Sequence, residues 1–153
     1  MKKMPINAGD FSNTMAKPLV GARLLERFAS SPYNFRYAYR NAEIHDVNDE
    51  VCAKIDILLL GSEWAMAVEV AYHIASAPNG KMDVVDRHVR RMEQIRKRPL
   101  AQIVGKKLLG AIAGGIIEAD MCKKAHEAGF FAIGIRRFST LAPPPEGFVP
   151  KEW

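Results

Sequence analysis

A chain of 153 residues, 48% apolar and 25% charged, is long enough to bury one core without metal or disulfide staples and too apolar to stay disordered. Twenty-two Lys and Arg against seventeen Asp and Glu leave a formal charge of +5, too small an excess by itself to indicate nucleic acid. Eight of those bases, however, fall between residues 87 and 107 against a single acid, Glu93, so that segment carries +7 and the remainder about −2.

The opening MKKMPINAGDFSNTMAKP has Lys2 and Lys3 but no apolar run behind them, so no secretory signal is expected and residues 1–14 are expected to form a flexible tail. Asn13 or Thr14 is placed to cap a helix over 17–29, with Pro18 in its first turn and Val20, Leu24 and Phe28 at helical spacing. Phe35, Tyr37 and Tyr39 alternate with Arg36, Ala38 and Arg40, the period of a strand, and Asp46, Asn48 and Asp49 make a polar turn. EVCAKIDILLLG (50–61) and WAMAVEVAYHI (64–74) predict a hairpin around Gly61-Ser62-Glu63. Ala77-Pro78-Asn79-Gly80 is a loop.

A helix is expected over 83–97, with Val85, Val89 and Met92 as its buried stripe, Arg87, Arg91 and Gln94 on another, and Pro99 as its stop. The small apolar run at 106–117 reads as a closely packed strand, 118–128 as a short helix with Cys122 and Ala125 inward and Gly129 as a left-handed cap, and 130–135 as a buried strand. Phe148 and Trp153 give the proline-rich C-terminal tail two apolar anchors. The order is αβββαβαβ, an α/β (α+β) fold with a mixed sheet flanked by helices.

Several patterns exclude more than they assign. Cys52 and Cys122 stand seventy positions apart with no CxxC or Cys/His pattern, so zinc is not expected and reduced thiols are. The longest apolar stretch, Ile55 to Leu60, is broken by Asp56 and far too short for a bilayer, which leaves a cytoplasmic protein with no membrane partner as the expectation. GAIAGG (110–115) matches neither phosphate-loop pattern and reads as close packing. Tyr37 and Tyr39 beside Arg36 and Arg40 offer either a base-stacking pair or the two faces of an ordinary strand. The basic segment is either a solvated helix face or a platform for phosphates.

Two acids interrupt the hairpin where apolar residues belong. Asp56 breaks KIDILLL, and Glu69 breaks AMAVEVAY on a face shared with Ala67, Ala71 and His73. Burying either carboxylate costs several kcal/mol unless something compensates, and bringing the two together forces one to hold a proton or both to share a cation. A divalent cation with hard oxygen ligands, Mg²⁺ foremost, is one solution; pairing of Asp56 with Lys54, Arg87 or His73 is another.

Asp56, twelve intervening residues, and Glu69-Val70-Ala71 on a returning strand resemble the PD-(D/E)XK nuclease-like superfamily. Segments such as KIDILL, WAMAVEV, DVVDRHVRRMEQIR, KKLLGAIAG, AHEAGFFAI and PEGFVPKEW resemble a bacterial family within it, over roughly residues 17–153. The resemblance implies one restriction-endonuclease-like domain over 15–153, with Asp56, Glu69 and the Val70 carbonyl as ligands of Mg²⁺ or Mn²⁺. It further implies metal-dependent hydrolysis of phosphodiester bonds in DNA or RNA, and often a homodimer that cuts both strands.

The pattern's lysine belongs two residues after Glu69, where this chain has Ala71. Lys54, two residues before Asp56, or His73, two past Ala71, would have to place the attacking water, while Glu26 in the first helix is either a further acid near the site or a solvent-facing helix residue. Arg87, Arg90 and Arg91 would hold the phosphate backbone, with His88 turned to the sheet. Loss of the lysine equally supports a degenerate domain that binds nucleic acid or a protein partner without cleavage.

Overall fold

The computed structural model describes residues 16–29, 31–45, 48–78, 80–98, 101–135 and 146–153; the expected tail at 1–14, the caps Asn13 and Thr14, and Pro99 lie outside them. The described elements run α1 (Ala16–Arg27), β1 (Tyr37–His45), β2 (Val51–Leu60), β3 (Trp64–Ile74), α2 (Val84–Lys97), a 3-10 turn (Ala101–Ile103), β4 (Lys107–Ile117), α3 (Ala119–Glu127) and β5 (Phe131–Gly134). This is the αβββαβαβ order of an α+β fold. The strands form one mixed sheet in the order β1-β2-β3-β4-β5, antiparallel from β1 to β3 and parallel from β3 to β5.

The sheet is covered on both faces. Leu24 of α1 and Phe28 just beyond it pack with Ile57, Leu59, Met66, Val68, Val70 and Leu109 on one side. Val85, Met92 and Ile95 of α2 and Met121 and Ala125 of α3 pack with Leu58, Ala65, Ala67 and Ile112 on the other. Cys122, expected inward, is half-buried beside Met121, which takes the inward place.

α2 begins where the sequence says it should. Asp83 is the N-cap and its Oδ1 accepts the amide of Asp86 at 2.8 Å. Lys124 of α3 reaches back to Asp83 at 2.6 Å and to Asp86 at 2.9 Å, clasping the two helices. Gly110 is a packing glycine: a Cβ there would lie 2.5 Å from the Phe130 ring and 3.2 Å from Met92. Gly129 has φ 88, the left-handed conformation expected of a helix end. The C-terminal segment docks: Trp153 donates its amide to Leu108 at 2.9 Å and stacks on Phe130 at 5.6 Å. Among the described residues, no helix is long and apolar enough to cross a membrane.

β1 is longer than its alternation predicts, continuing through Asn41 to His45. Its face changes on the way. Ala38 packs with the α1 side of the sheet and Ala42 with the α2 side, although an even spacing should keep them together. β2 makes the same change, because Ala53, Ile55, Leu58 and Leu60 all face α2 while Ile57 and Leu59 face α1. The switch lies at Asn41, with φ 53, and at Asp56, the two positions enclosed by the pairs Arg40↔Ile57 and Ala42↔Ile55. This irregularity places the candidate site.

Candidate acidic site beneath helix α2

β2 and β3 pair from Leu60↔Ala65 to Ile57↔Val68 and then part, one step before Asp56 and Glu69 would face each other. β3 runs on beside β4, where Glu69 pairs with Ile112 and Val70 with Ala113. The amide of Val70, left without β2, donates to Asp56 Oδ2 at 2.8 Å. The carboxylate thus ends the ladder in place of a backbone carbonyl, satisfying a buried donor where the strands split.

Glu69 shares its strand face with Ala65, Ala67 and Ala71, which pack under α2, so its side chain points at that helix. It is 7% exposed. Two α2 side chains three residues apart, on one helix face, meet it. Arg91 Nη1 forms an ion pair with Glu69 Oε2, and His88 Nδ1 lies 3.8 Å from the same oxygen. His88 is fully buried and its Nε2 donates to the Ala67 carbonyl at 3.0 Å. A carbonyl only accepts, so Nε2 carries the proton and neutral His88 turns an unpartnered Nδ1 lone pair toward Glu69. Burial pushes the His88 imidazolium down to about 4, against the hydrogen bond to Ala67 and the attraction of Asp56. Burial also lowers Arg91, and the negative charge of Asp56 opposes that shift. Both shifts therefore place Asp56 within electrostatic reach of the two α2 side chains.

The sequence-predicted residues divide. Asp56, Glu69 and Val70 do come together at the strand split. Lys54 does not join them: it is 68% exposed and lies 3.9 Å from Glu43 on β1. The face switch at Asp56 explains this, because residues two apart no longer share a side across it. His73 turns to Glu118 at 2.8 Å, at the far end of β3. Glu26 pairs with Arg23 along α1 at 3.1 Å, on the opposite side of the sheet. Arg87 and Arg90 are exposed on the outer side of α2, but Arg91, expected beside them on a phosphate platform, reaches inward. A signal for this was present: Val84, His88, Arg91 and Ile95 follow the 4-3-4 spacing of a buried stripe.

A metal has to fit these donors as they stand. Mg²⁺ takes carboxylate oxygens together with several waters. Here Asp56 Oδ2 is engaged by the Val70 amide, Glu69 Oε2 by a guanidinium, and Glu69 is almost closed to water. Among the described residues, no group of three His, Cys, Asp or Glu side chains is placed to hold a metal ion. The arrangement does not fit a hydrated divalent cation while Arg91 is in it. The guanidinium supplies the positive charge that the acid pair requires.

No protein-family model and no curated protein matches the chain. Among solved structures it is similar to protein VC1899 from Vibrio cholerae, with a TM-score of 0.53 and 12% identity over 80% of this chain. The match spans about 30% of that structure's length, and the likeness is one of fold alone.

Proposed function

We propose that the chain is a nuclease-fold domain of PD-(D/E)XK type that binds the phosphate backbone of nucleic acid along α2 and does not cleave it. The observation that carries this reading is the Arg91–Glu69 ion pair: a guanidinium already neutralises a carboxylate that a catalytic metal would need. The replacement of the pattern's lysine by Ala71 agrees with it. Binding is assigned to the outer side of α2, where Arg87, Arg90, Arg96 and Lys97 are exposed against Glu93. Such contacts position a backbone and read no bases.

A second reading, Mg²⁺- or Mn²⁺-dependent phosphodiester hydrolysis, is favoured by the retention of Asp56 and Glu69 at adjacent strand positions, and it requires Arg91 to withdraw. One experiment separates the two. Plasmid, single-stranded DNA and RNA are incubated with the protein and either metal, beside Asp56→Ala and Glu69→Ala, and binding is titrated against salt. The proposal expects no metal-dependent product, binding that weakens steeply with salt, and a salt slope reduced by about 2 in Arg87→Ala/Arg90→Ala. Metal-dependent cutting that disappears in Asp56→Ala establishes the second reading instead.

A further inference from the structure

On the α2 side of the sheet, the outermost strand β1 carries two large rings that are half-exposed or more. Tyr37 is 60% exposed and Tyr39 is 49% exposed. They sit opposite Leu60 and Leu58, both of which pack toward α2, whereas Ala38 between them packs toward α1. The rings therefore rise from one face of one strand, at positions i and i+2. In an ideal strand that spacing is roughly 6.8 Å, about twice the roughly 3.4 Å rise per nucleotide along one strand.

Arg40 and Gln102 lie with Tyr39 around one recess. α2 ends in exposed Arg96 and Lys97, and the chain then returns through the 3-10 turn to place Gln102 beside Tyr39. Gln102, Tyr39, Leu58, Ala42, Arg40 and Glu43 line a recess of about 200 Å³. Glu43, the acid of that recess, lies 3.9 Å from Lys54. Tyr39 is one strand over and two residues along from Asp56, so the rings and the acidic site lie on one continuous stretch of sheet.

We infer that Tyr37 and Tyr39 form a stacking platform for the bases of a single-stranded nucleic acid whose phosphates are held by the basic end of α2. The inference rests on the proposed nucleic-acid binding and names its substrate class. A duplex hides its base faces and gains only the phosphate contacts, while a single strand gains both. A buried aromatic pair would have served the core; rings this exposed, one of them beside Arg40 and the Gln102 amide, present free faces to a planar ligand.

The test is anisotropy with labelled oligothymidylate, a duplex of equal length and an abasic strand of equal length, using the full chain and Tyr37→Leu/Tyr39→Leu and Tyr37→Phe/Tyr39→Phe. The expected result is tighter binding of oligothymidylate than of either control, a loss of about 10-fold or more per ring in the leucine variant, and near wild-type affinity in the phenylalanine variant. The salt slope should stay unchanged, since the phosphate contacts remain. Equal affinity for all three ligands, or a leucine variant that binds as wild type, overturns the platform and leaves the phosphate-binding reading standing. Absence of salt-sensitive binding to any of the three overturns both.

Discussion

The guanidinium of Arg91 on α2 and the carboxylate of Glu69 on β3 form an ion pair in which the acid is 7% exposed. Removing one partner of such a pair strands the other as an uncompensated buried charge, whereas removing both does not. Arg91→Met should therefore lower unfolding stability by roughly 3–5 kcal/mol. Arg91→Met/Glu69→Gln should recover most of that loss. Urea denaturation of the two single variants and the double variant measures the coupling, and a double variant as unstable as Arg91→Met would refute the pairing.

His88 gives the fold a pH dependence of known sign. Its imidazole is neutral when folded because burial holds it at about 4, below the 6.5 of an unfolded histidine. Between those values the unfolded chain binds the extra proton, so stability is full above pH 6.5 and falls as pH drops toward 4. The loss attributable to His88 is roughly 3 kcal/mol across that window. His126, also lowered by burial, acts in the same sense, so the comparison must be made within a pair of proteins. Denaturation midpoints of wild type and His88→Gln at pH 7.5 and pH 4.5 should show a clearly flatter dependence in the variant.

The clasp between helices should be measurable at Asp83. Desolvation alone would raise its carboxyl, but the hydrogen bonds from Lys124 and from the Asp86 amide outweigh that and hold it below the usual carboxylate range. The stabilisation is thus present at neutral pH and is lost as pH falls through that lowered value. Asp83→Ala should cost about 1 kcal/mol through the lost cap, with the loss visible as reduced amide-exchange protection in the first turn of α2. Asp83→Asn, which still caps but carries no charge, should retain most of the stability.

Gly110 tests the packing between the sheet and its covering elements. A methyl group there would meet the Phe130 ring at 2.5 Å, and that ring is itself held under Trp153. Gly110→Ala should destabilise by about 1–3 kcal/mol through overpacking. Phe130→Leu in the same chain should relieve part of the strain, which thermal melts of the single and double variants would reveal.

What the sequence makes legible is governed by periodicity. The hairpin of β2 and β3 is readable because apolar residues fill both strands and Gly61-Ser62-Glu63 breaks them, and α2 because Asp83 caps a clear stripe. Residues 41–45 carry no strand pattern, because Asn41 and Glu43 are polar and the strand changes face there. That same change misdirects the placement of Lys54: parity along β2 puts it beside Asp56, yet parity fails at Asp56 itself. Arg91 was hidden for a different reason. Arginine reads as surface, and only the partner, Glu69, which lies on another element of the fold, reveals it as an interior charge. The acid pair itself was legible because two carboxylates inside apolar strands need an explanation; the cation that answers them came from the tertiary fold.

Calorimetric titration of Mn²⁺ into wild type, Arg91→Gln and Arg91→Gln/Asp56→Asn tests the central claim, that Arg91 neutralises a carboxylate that a metal would need. The account predicts no binding to wild type at millimolar Mn²⁺, binding in Arg91→Gln accompanied by a rise in its melting temperature, and loss of both in the double variant. Mn²⁺ binding to wild type that is abolished by Asp56→Asn alone would contradict it.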